Sequence, residues 1–183
     1  RLLVFACAFC VTAALARDTV WRARLIYGLV ALGLFEALYG LVQSIAGWQW
    51  IFTYKKIFYT AQATGTYVNP NHFAGLLELI FPFSLVSALQ RLDQLNPHSH
   101  AAAPSGLPRS ERLSALIFYS FATLLLFAGI LLSRSRMGLL SVTLAALAMG
   151  LLWLSQSAQP GRLLLILVLL VAAVLLSFWL GLG

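Results

Sequence analysis

Charge is scarce in this 183-residue chain, in which 9% of the residues are charged and only 5 are Asp or Glu. Soluble domains carry about 25% charged and about 45–50% apolar residues, whereas 61% of this chain is hydrophobic. A soluble protein of this size could not withdraw that much apolar surface from water. The composition excludes a soluble enzyme, a disordered chain and a water-soluble nucleic-acid-binding protein, and it indicates that lipid surrounds most of the chain.

Cysteine and the common phosphate and metal motifs are equally sparse. The 2 cysteines, Cys7 and Cys10, lie in one apolar run and are too few for a disulfide framework. Their CxxC spacing has a redox interpretation, but two small residues packed in a helix fit an apolar run better. The chain has no Walker loop, no GxGxxG and no HExxH, so no such motif points to a nucleotide or to zinc.

What the chain has instead is a series of long apolar runs. A helix needs about 20 apolar residues to cross a hydrocarbon core about 30 Å thick, and backbone polar groups in lipid must be satisfied within the helix. We predict an all-α, polytopic membrane helix bundle with about six transmembrane helices, forming one transmembrane domain over residues 1–183. The runs cover residues 2–16, 25–46, 71–89, 113–132, 137–154 and 163–182.

The two ends of the sequence, Arg1 and Gly183, do not resemble natural termini. No Met begins the chain, and an apolar run continues to its last residues. We therefore expect the sequence to be a fragment of a larger membrane protein.

The net charge of +7 is divided unequally between the two sides of the predicted membrane. Seven basic residues fall in the connections on one side and four fall on the other. The positive-inside rule places the side with seven in the cytoplasm. The seven are Arg17, Arg22, Arg24, Arg91, Arg109, Arg112 and Arg162, and the four are Lys55, Lys56, Arg134 and Arg136.

Residues 48–68 join the second and third runs on the side that this rule places outside. Trp48, Trp50 and Tyr54 lie close together there. Trp and Tyr concentrate where a ring can enter the acyl chains while its polar edge stays among the headgroups. We predict an interfacial segment that lies along the outer surface and does not cross the membrane.

Asn69 and Pro70 form a helix-start signal, because Asn accepts bonds from free N–H groups and Pro suits the first helical position. The third helix is then expected to begin at the outer surface, where its N-terminus favours an anion such as phosphate. Asn71 and His72 are expected to project from this first turn. The alternative is that the asparagines only cap the helix and that His72 lies among the headgroups.

Arg134 and Arg136 alternate with two serines in the short connection between the fourth and fifth runs. Arginines on the side with fewer basic residues oppose the topology bias, and guanidinium groups match phosphate oxygens bidentately. They predict a diphosphate-binding site, with two arginines reaching for lipid headgroups as the alternative. The other residues predicted for this site, on the same side, are Lys55, Lys56, Asn71 and His72.

Two acids lie inside apolar runs. Glu36 is near the middle of the second run, and Glu78 is seven residues after Asn71, or about 10 Å further along a helix. Intramembrane acids are costly and are functional candidates by default. The alternative is that both are neutral or paired inside the bundle.

Two motifs resemble those of the O-antigen ligase and O-antigen polymerase family. Residues 65–74, GTYVNPNHFA, are similar to its G-T-x-x-N-x-N-x-x-A signature at an outer helix start. Residues 133–138, SRSRMG, are similar to its S-R-[GS] motif between two helices, about sixty residues further on. The resemblance covers roughly residues 25–154, and the order and common membrane face of the two motifs make it specific.

The resemblance implies a multi-pass glycosyltransferase of the bacterial inner membrane, with its site facing the periplasm. Such enzymes transfer a glycan from a polyprenyl diphosphate carrier to lipid A-core, a growing polysaccharide or a protein. The arginine of the S-R motif, here Arg134, then holds the diphosphate leaving group, with Arg136 as its neighbour. The implied partners are this donor, the acceptor and membrane lipids, without nucleic acid. No cofactor and no metal is expected, because the donor carries its own leaving group.

The chain departs from the family in one respect. The large periplasmic loop with the proposed catalytic histidine, and the later helices, are expected beyond Gly183. The catalytic residue is therefore unassigned, since His72 is not at the matching position, and residues 1–183 are expected to be inactive alone. Two other classes stay open: an ion-coupled secondary transporter that uses Glu36, and a helical packing subunit without a site.

Overall fold

The computed structural model describes residues 2–95 and 108–155 and contains five helices and one small hairpin in that part of the chain. The sixth predicted run, residues 163–182, lies outside the described residues, so the described bundle has five helices and not about six. The elements are α1 (Leu2–Leu15), α2 (Thr19–Ile45), β1 (Trp50–Ile51), β2 (Tyr54–Lys55), α3 (Pro70–Leu95), α4 (Arg109–Ser133) and α5 (Arg136–Ser155).

Three of these helices, α2, α3 and α4, are long and apolar enough to cross a membrane. Helix α1 and the stretch Arg136–Leu152 of α5 are apolar but shorter. The 14 residues of α1 extend about 21 Å at 1.5 Å per residue, less than the roughly 30 Å of a hydrocarbon core. Cys7 and Cys10 lie in α1 as predicted, but both are exposed and not packed.

The start of α2 is set by a cap and not by hydropathy. The helix begins at Thr19, six residues before the predicted run. Asp18 has an extended backbone, and its Oδ1 accepts bonds from Val20 N at 2.8 Å and Trp21 N at 3.1 Å. The apolar run therefore begins after the first turns of the helix, because those turns contain charged residues.

The end of α3 likewise extends beyond its apolar run, to Leu95. Arg112 Nη1 of α4 donates to the Gln94 carbonyl at 3.0 Å. The last carbonyls of a helix have no partner within the helix, and this arginine supplies one of them. Arg112 therefore has a structural contact besides its contribution to charge asymmetry.

Helices α3 and α4 form the centre of the bundle, and α2 packs against both. Leu77, Ile80 and Leu126 are almost fully buried. A Cβ added to Gly33 of α2 would lie 2.8 Å from Leu126 Cδ2 and 3.0 Å from Ile80 Cγ2. Because helices in lipid gain little hydrophobic free energy by associating, close packing through small residues holds such bundles together.

The outward faces of the helices are apolar as well. Leu79 of α3 is 71% exposed and Leu124 of α4 is 69% exposed. In water such side chains would leave a large unfavourable surface, whereas acyl chains cover them without that cost. The described helices therefore have the inner and outer faces that a membrane bundle requires.

We call one end of the bundle the loop end, because residues 46–69, the α2–α3 loop, lie there with the end of α2, the start of α3, the end of α4 and the start of α5. Ala63 N of this loop donates to Leu132 O of α4 at 3.0 Å. The opposite end, which we call the far end, holds the contact between Arg112 and Gln94. All the residues predicted to bind diphosphate are therefore at the loop end.

Candidate functional site

The α2–α3 loop has an exposed half and a buried half. Its first half carries the antiparallel β1–β2 hairpin, in which Trp50 is opposite Lys55, and Phe52 at the hairpin turn is 65% exposed. Its second half differs, because residues 63–65 are buried. The segment predicted to lie along the surface is therefore mostly exposed as far as residue 61, and the chain then enters between the helices.

Gln43 of α2 holds both halves of the loop with one side chain, which is 1% exposed. Its Nε2 donates to Gly65 O at 2.9 Å and to Trp50 O at 3.2 Å. Its Oε1 accepts from Thr64 N at 3.1 Å and from Thr64 Oγ1 at 3.3 Å. Buried backbone groups without a partner are costly, and this amide supplies partners where no regular secondary structure does.

Glu36 lies seven residues before Gln43, on the same face of α2, and is 4% exposed. Thr66 N donates to its Oε2 at 2.9 Å, and Thr66 Oγ1 donates to its Oε1 at 2.6 Å. Both oxygens of the acid are therefore occupied by the loop. The structure gives Glu36 partners inside the bundle, which is the second of the two interpretations of its sequence position.

Gly65 makes this contact possible. A Cβ at Gly65 would collide with Glu36 Oε2 and would lie 2.6 Å from Phe73 Cδ2. The backbone φ of Gly65 is +56°, a conformation that glycine adopts without the usual steric cost. The glycine of the Gly-Thr pair therefore brings the loop backbone against the acid, and the threonine provides the two donors.

Asn69 caps α3. Its Oδ1 accepts from Asn71 N at 2.8 Å, and its carbonyl accepts from His72 N at 3.1 Å and Phe73 N at 3.3 Å. Asn71 and His72 are exposed on this first turn. Capping therefore accounts for Asn69, whereas the side chains of Asn71 and His72 face outward at the loop end.

The turn between α4 and α5 separates its serines from its arginines. Ser133 and Ser135 are buried, while Arg134 and Arg136 are exposed. Ser133 Oγ donates to Ile130 O at 2.6 Å and accepts from Ser135 N at 3.1 Å. The serines thus satisfy the buried backbone of the turn.

Arg134 ends α4 with a left-handed backbone, at φ 54° and ψ 25°, a conformation common after a helix end. Ser135 Oγ accepts from Gly138 N at 3.1 Å, so Ser135 caps the start of α5. With both neighbouring serines fixed inward, the guanidinium of Arg134 is presented at the surface of the loop end.

Helices α3 and α5 approach closely just below these two turns. A Cβ on Gly138 would lie 2.9 Å from Ala74 Cβ, 2.8 Å from Glu78 Oε1 and 3.1 Å from Ser135 Oγ. Glu78 is only partly buried. Its carboxyl therefore lies beside the first turn of α5, where a helix N-terminus favours negative charge.

The two lysines of the loop are placed differently. Lys55 is exposed, whereas Lys56 is 3% exposed and its Nζ donates to Gln62 O at 2.9 Å. Burial lowers the pKa of the Lys56 ammonium below its ordinary value of 10.5. The structure thus gives Lys56 a contact inside the loop and leaves Lys55 accessible to a ligand.

Sequence reasoning missed three residues that build this site, namely Gln43, Ser133 and Ser135. A signal for Gln43 was present, because its spacing of seven from Glu36 puts both polar side chains on one face of an apolar helix. The serines stand in the motif of residues 133–138, but that pattern does not indicate that their side chains turn inward.

Within residues 2–95 and 108–155, no three His, Cys, Asp or Glu side chains form a group that could hold a metal ion. The chain has no counterpart in the comparisons with known proteins: no family model, no curated protein and no solved structure matches it. The geometry of the loop end and the two sequence motifs therefore carry the functional argument.

Proposed function

We propose that this chain is part of a membrane glycosyltransferase of the O-antigen ligase type. It transfers a glycan from a polyprenyl diphosphate carrier to lipid A-core, a polysaccharide or a protein. In this proposal the loop end faces the periplasm of a bacterial inner membrane and binds the diphosphate of the donor.

One observation carries the proposal: the two motif segments, residues 65–74 and 133–138, lie against each other. Ala74 of the first contacts Gly138 of the second, and Ala63 N, just before the first, donates to Leu132 O, just before the second. The exposed side chains of Asn71 and His72 in the first segment and of Arg134 and Arg136 in the second then share one end of the bundle. Because the two segments are about sixty residues apart in the sequence, their contact in the fold supports a role for both motifs in one site.

The proposed chemistry is electrostatic. Transfer breaks the bond between the anomeric carbon and the diphosphate oxygen, which leaves with the electron pair. Arg134 binds the diphosphate bidentately and stabilises its growing charge, with Arg136, Lys55 and His72 around it. The acceptor hydroxyl attacks the anomeric carbon to form the new bond, and its proton passes to a general base.

The transporter alternative depends on Glu36. An ion-coupling acid must bind and release its ion in the course of the cycle. Both oxygens of Glu36 accept hydrogen bonds from Thr66, and these contacts favour an acid that supports the loop.

The test uses Arg134→Gly in the full-length protein, with donor and acceptor supplied. Glycine suits the left-handed backbone at this position, so the variant removes the guanidinium without a cost to folding. We expect glycan transfer to fall about a hundredfold or more. Arg134→Lys is expected to retain part of the activity, because lysine keeps the charge and loses the bidentate geometry.

The matched control is Arg109→Gly, which removes an exposed arginine from the far end. This control is expected to transfer glycan at the normal rate per folded molecule. Normal transfer by Arg134→Gly at normal expression would contradict the proposed function.

A further inference from the structure

Glu36 is a buried acid whose two carboxyl oxygens both accept hydrogen bonds from the α2–α3 loop. It lies nine residues before the end of α2 at Ile45, or about 13 Å from that end. At this depth an acid is costly, yet both its oxygens serve one loop residue, Thr66. A neutral polar side chain could hold the loop at a lower free-energy cost than a buried acid. The position in which the acid holds Thr66 is therefore expected to matter.

Thr66 is connected to the first turn of α3 by a short and constrained piece of chain. Tyr67 N donates back to Thr64 O at 2.9 Å, which forms a turn around Thr66. Only two residues then separate Thr66 from Asn69, whose carbonyl accepts from His72 N. Thr66 is therefore close in the chain to the first turn of α3, on which the side chain of His72 is exposed.

The same stretch is anchored to the arginine turn. Ala63 N donates to Leu132 O at 3.0 Å, two residues before Arg134. Within four residues, from Ala63 to Thr66, the loop is thus fastened to the end of α4 and to the acid in α2. Through this stretch Glu36 is connected both to the start of α3 and to the turn that carries Arg134.

We propose that Glu36 is a positioning residue for the donor site: by holding Thr66 it fixes the first turn of α3 against the Arg134 turn, so that both can contact one diphosphate. This inference rests on the proposed function. Glu36 does not touch the donor, and its contribution is the geometry of the cations that do.

The test compares Glu36→Gln, Thr66→Val and Thr66→Ser in the full-length protein. Glu36→Gln keeps one acceptor oxygen and places an amide donor against Thr66, and Thr66→Val removes the hydroxyl without changing the branched shape. We expect each to raise the KM for the polyprenyl diphosphate donor about tenfold, which corresponds to about 1.4 kcal/mol, while the KM for the acceptor stays constant. Thr66→Ser restores the hydroxyl and is expected to restore the donor KM.

Non-additivity gives a second readout. If Glu36 acts through Thr66, the double variant Glu36→Gln/Thr66→Val is expected to resemble either single variant and not their product. The matched control is Glu111→Gln, which alters an exposed acid in the first turn of α4 at the far end and is expected to leave both KM values unchanged.

The inference is overturned if Glu36→Gln and Thr66→Val fold normally with an unchanged donor KM. It is also overturned if both variants lose only folded protein, or if donor and acceptor KM rise equally without rescue by Thr66→Ser. Arg134→Gly separates this failure from that of the proposed function. If Arg134→Gly abolishes transfer while the Glu36 and Thr66 variants bind donor normally, only the positioning inference fails.

Discussion

The loop end and the far end of the bundle treat polar groups in opposite ways. At the far end no charged side chain in the described part of the chain is fully buried: Arg17 and Arg22 are exposed, Arg24 lies 5.0 Å from the ring centroid of Trp21, and Arg112 is partly buried against Gln94. At the loop end polar side chains are buried. Of the eight buried polar or charged side chains in the described part of the chain, five are at the loop end, namely Gln43, Lys56, Thr64, Ser133 and Ser135, and a sixth, Glu36, accepts its hydrogen bonds from the loop.

The two ends therefore differ in how precisely they fix the positions of their side chains. Exposed charges at a membrane surface orient helices without specifying a detailed geometry. Buried polar groups must each find a partner, and a satisfied network therefore fixes one arrangement of its members. The exposed charges of the far end specify no detailed geometry, whereas the buried polar groups of the loop end fix where particular side chains lie.

The largest expected effect is the loss of stability caused by a substitution at Gly65, where the loop backbone packs tightly against Glu36 and Phe73. Gly65→Ala introduces a Cβ against Glu36 and Phe73 and forces alanine into a left-handed backbone. We expect a loss of about 2–5 kcal/mol in the free energy of unfolding, from backbone strain and overpacking together. Chemical denaturation in detergent measures it.

Gly47→Ala is the matched control, because Gly47 has a φ of +65° with nothing within 4 Å of an added Cβ. It carries only the backbone strain, about 1–2 kcal/mol. Equal losses for the two glycines would show that the contact with Glu36 adds no constraint of its own.

A smaller effect is expected at the far end. Asp18→Ala removes the side-chain cap of α2 and is expected to cost about 1 kcal/mol, without a change in the donor KM. Asp18→Asn is the control, since asparagine caps a helix about as well. The same kinetic assay measures the donor KM of Asp18→Ala. A changed donor KM would contradict the proposed difference between the two ends.

The smallest effect is a pH dependence of the loop end. The lowered pKa of Lys56 means that the unfolded chain binds its proton more tightly than the folded protein does. Stability therefore rises as the pH increases through the folded pKa toward 10.5, where the unfolded chain loses the same proton.

Lys56→Met is expected to lose this rise, while Lys55→Met, at an exposed neighbouring position, is expected to keep it. Unfolding midpoints measured at several pH values up to 10.5 compare the three proteins. If Lys56→Met and wild type show the same pH profile, burial of the ammonium does not tune stability.

Much of the fold follows from local pattern. The apolar runs predict α2, α3 and α4, because a long apolar stretch in lipid has no option but a helix. The predicted bounds are too narrow where charged first turns continue the helix, as after Asp18, since capping and not hydropathy ends a helix. The Asn-Pro signal places the start of α3 correctly, at Pro70.

The sequence offers candidate site residues, but it does not give their arrangement. The alternation of serine and arginine in residues 133–136 contains the exposed arginines, but a sequence does not say which of the two residue types turns inward. The burial of Lys56 beside an exposed Lys55 is of the same kind. In both cases neighbouring residues of similar chemistry are sorted by contacts with distant parts of the chain.

By itself, the sequence determined that this protein is a bundle of apolar helices with basic residues divided between its two ends, because helix formation and hydropathy depend on neighbouring residues. Only the tertiary structure decided that Glu36 serves a loop thirty residues away, through Thr66. A hydrogen-bond partner at that separation is set by how three helices pack, and the packing depends on glycines such as Gly65 that allow the backbone to come close. The acid that hydropathy marks as an anomaly is, in the folded bundle, the support of the loop.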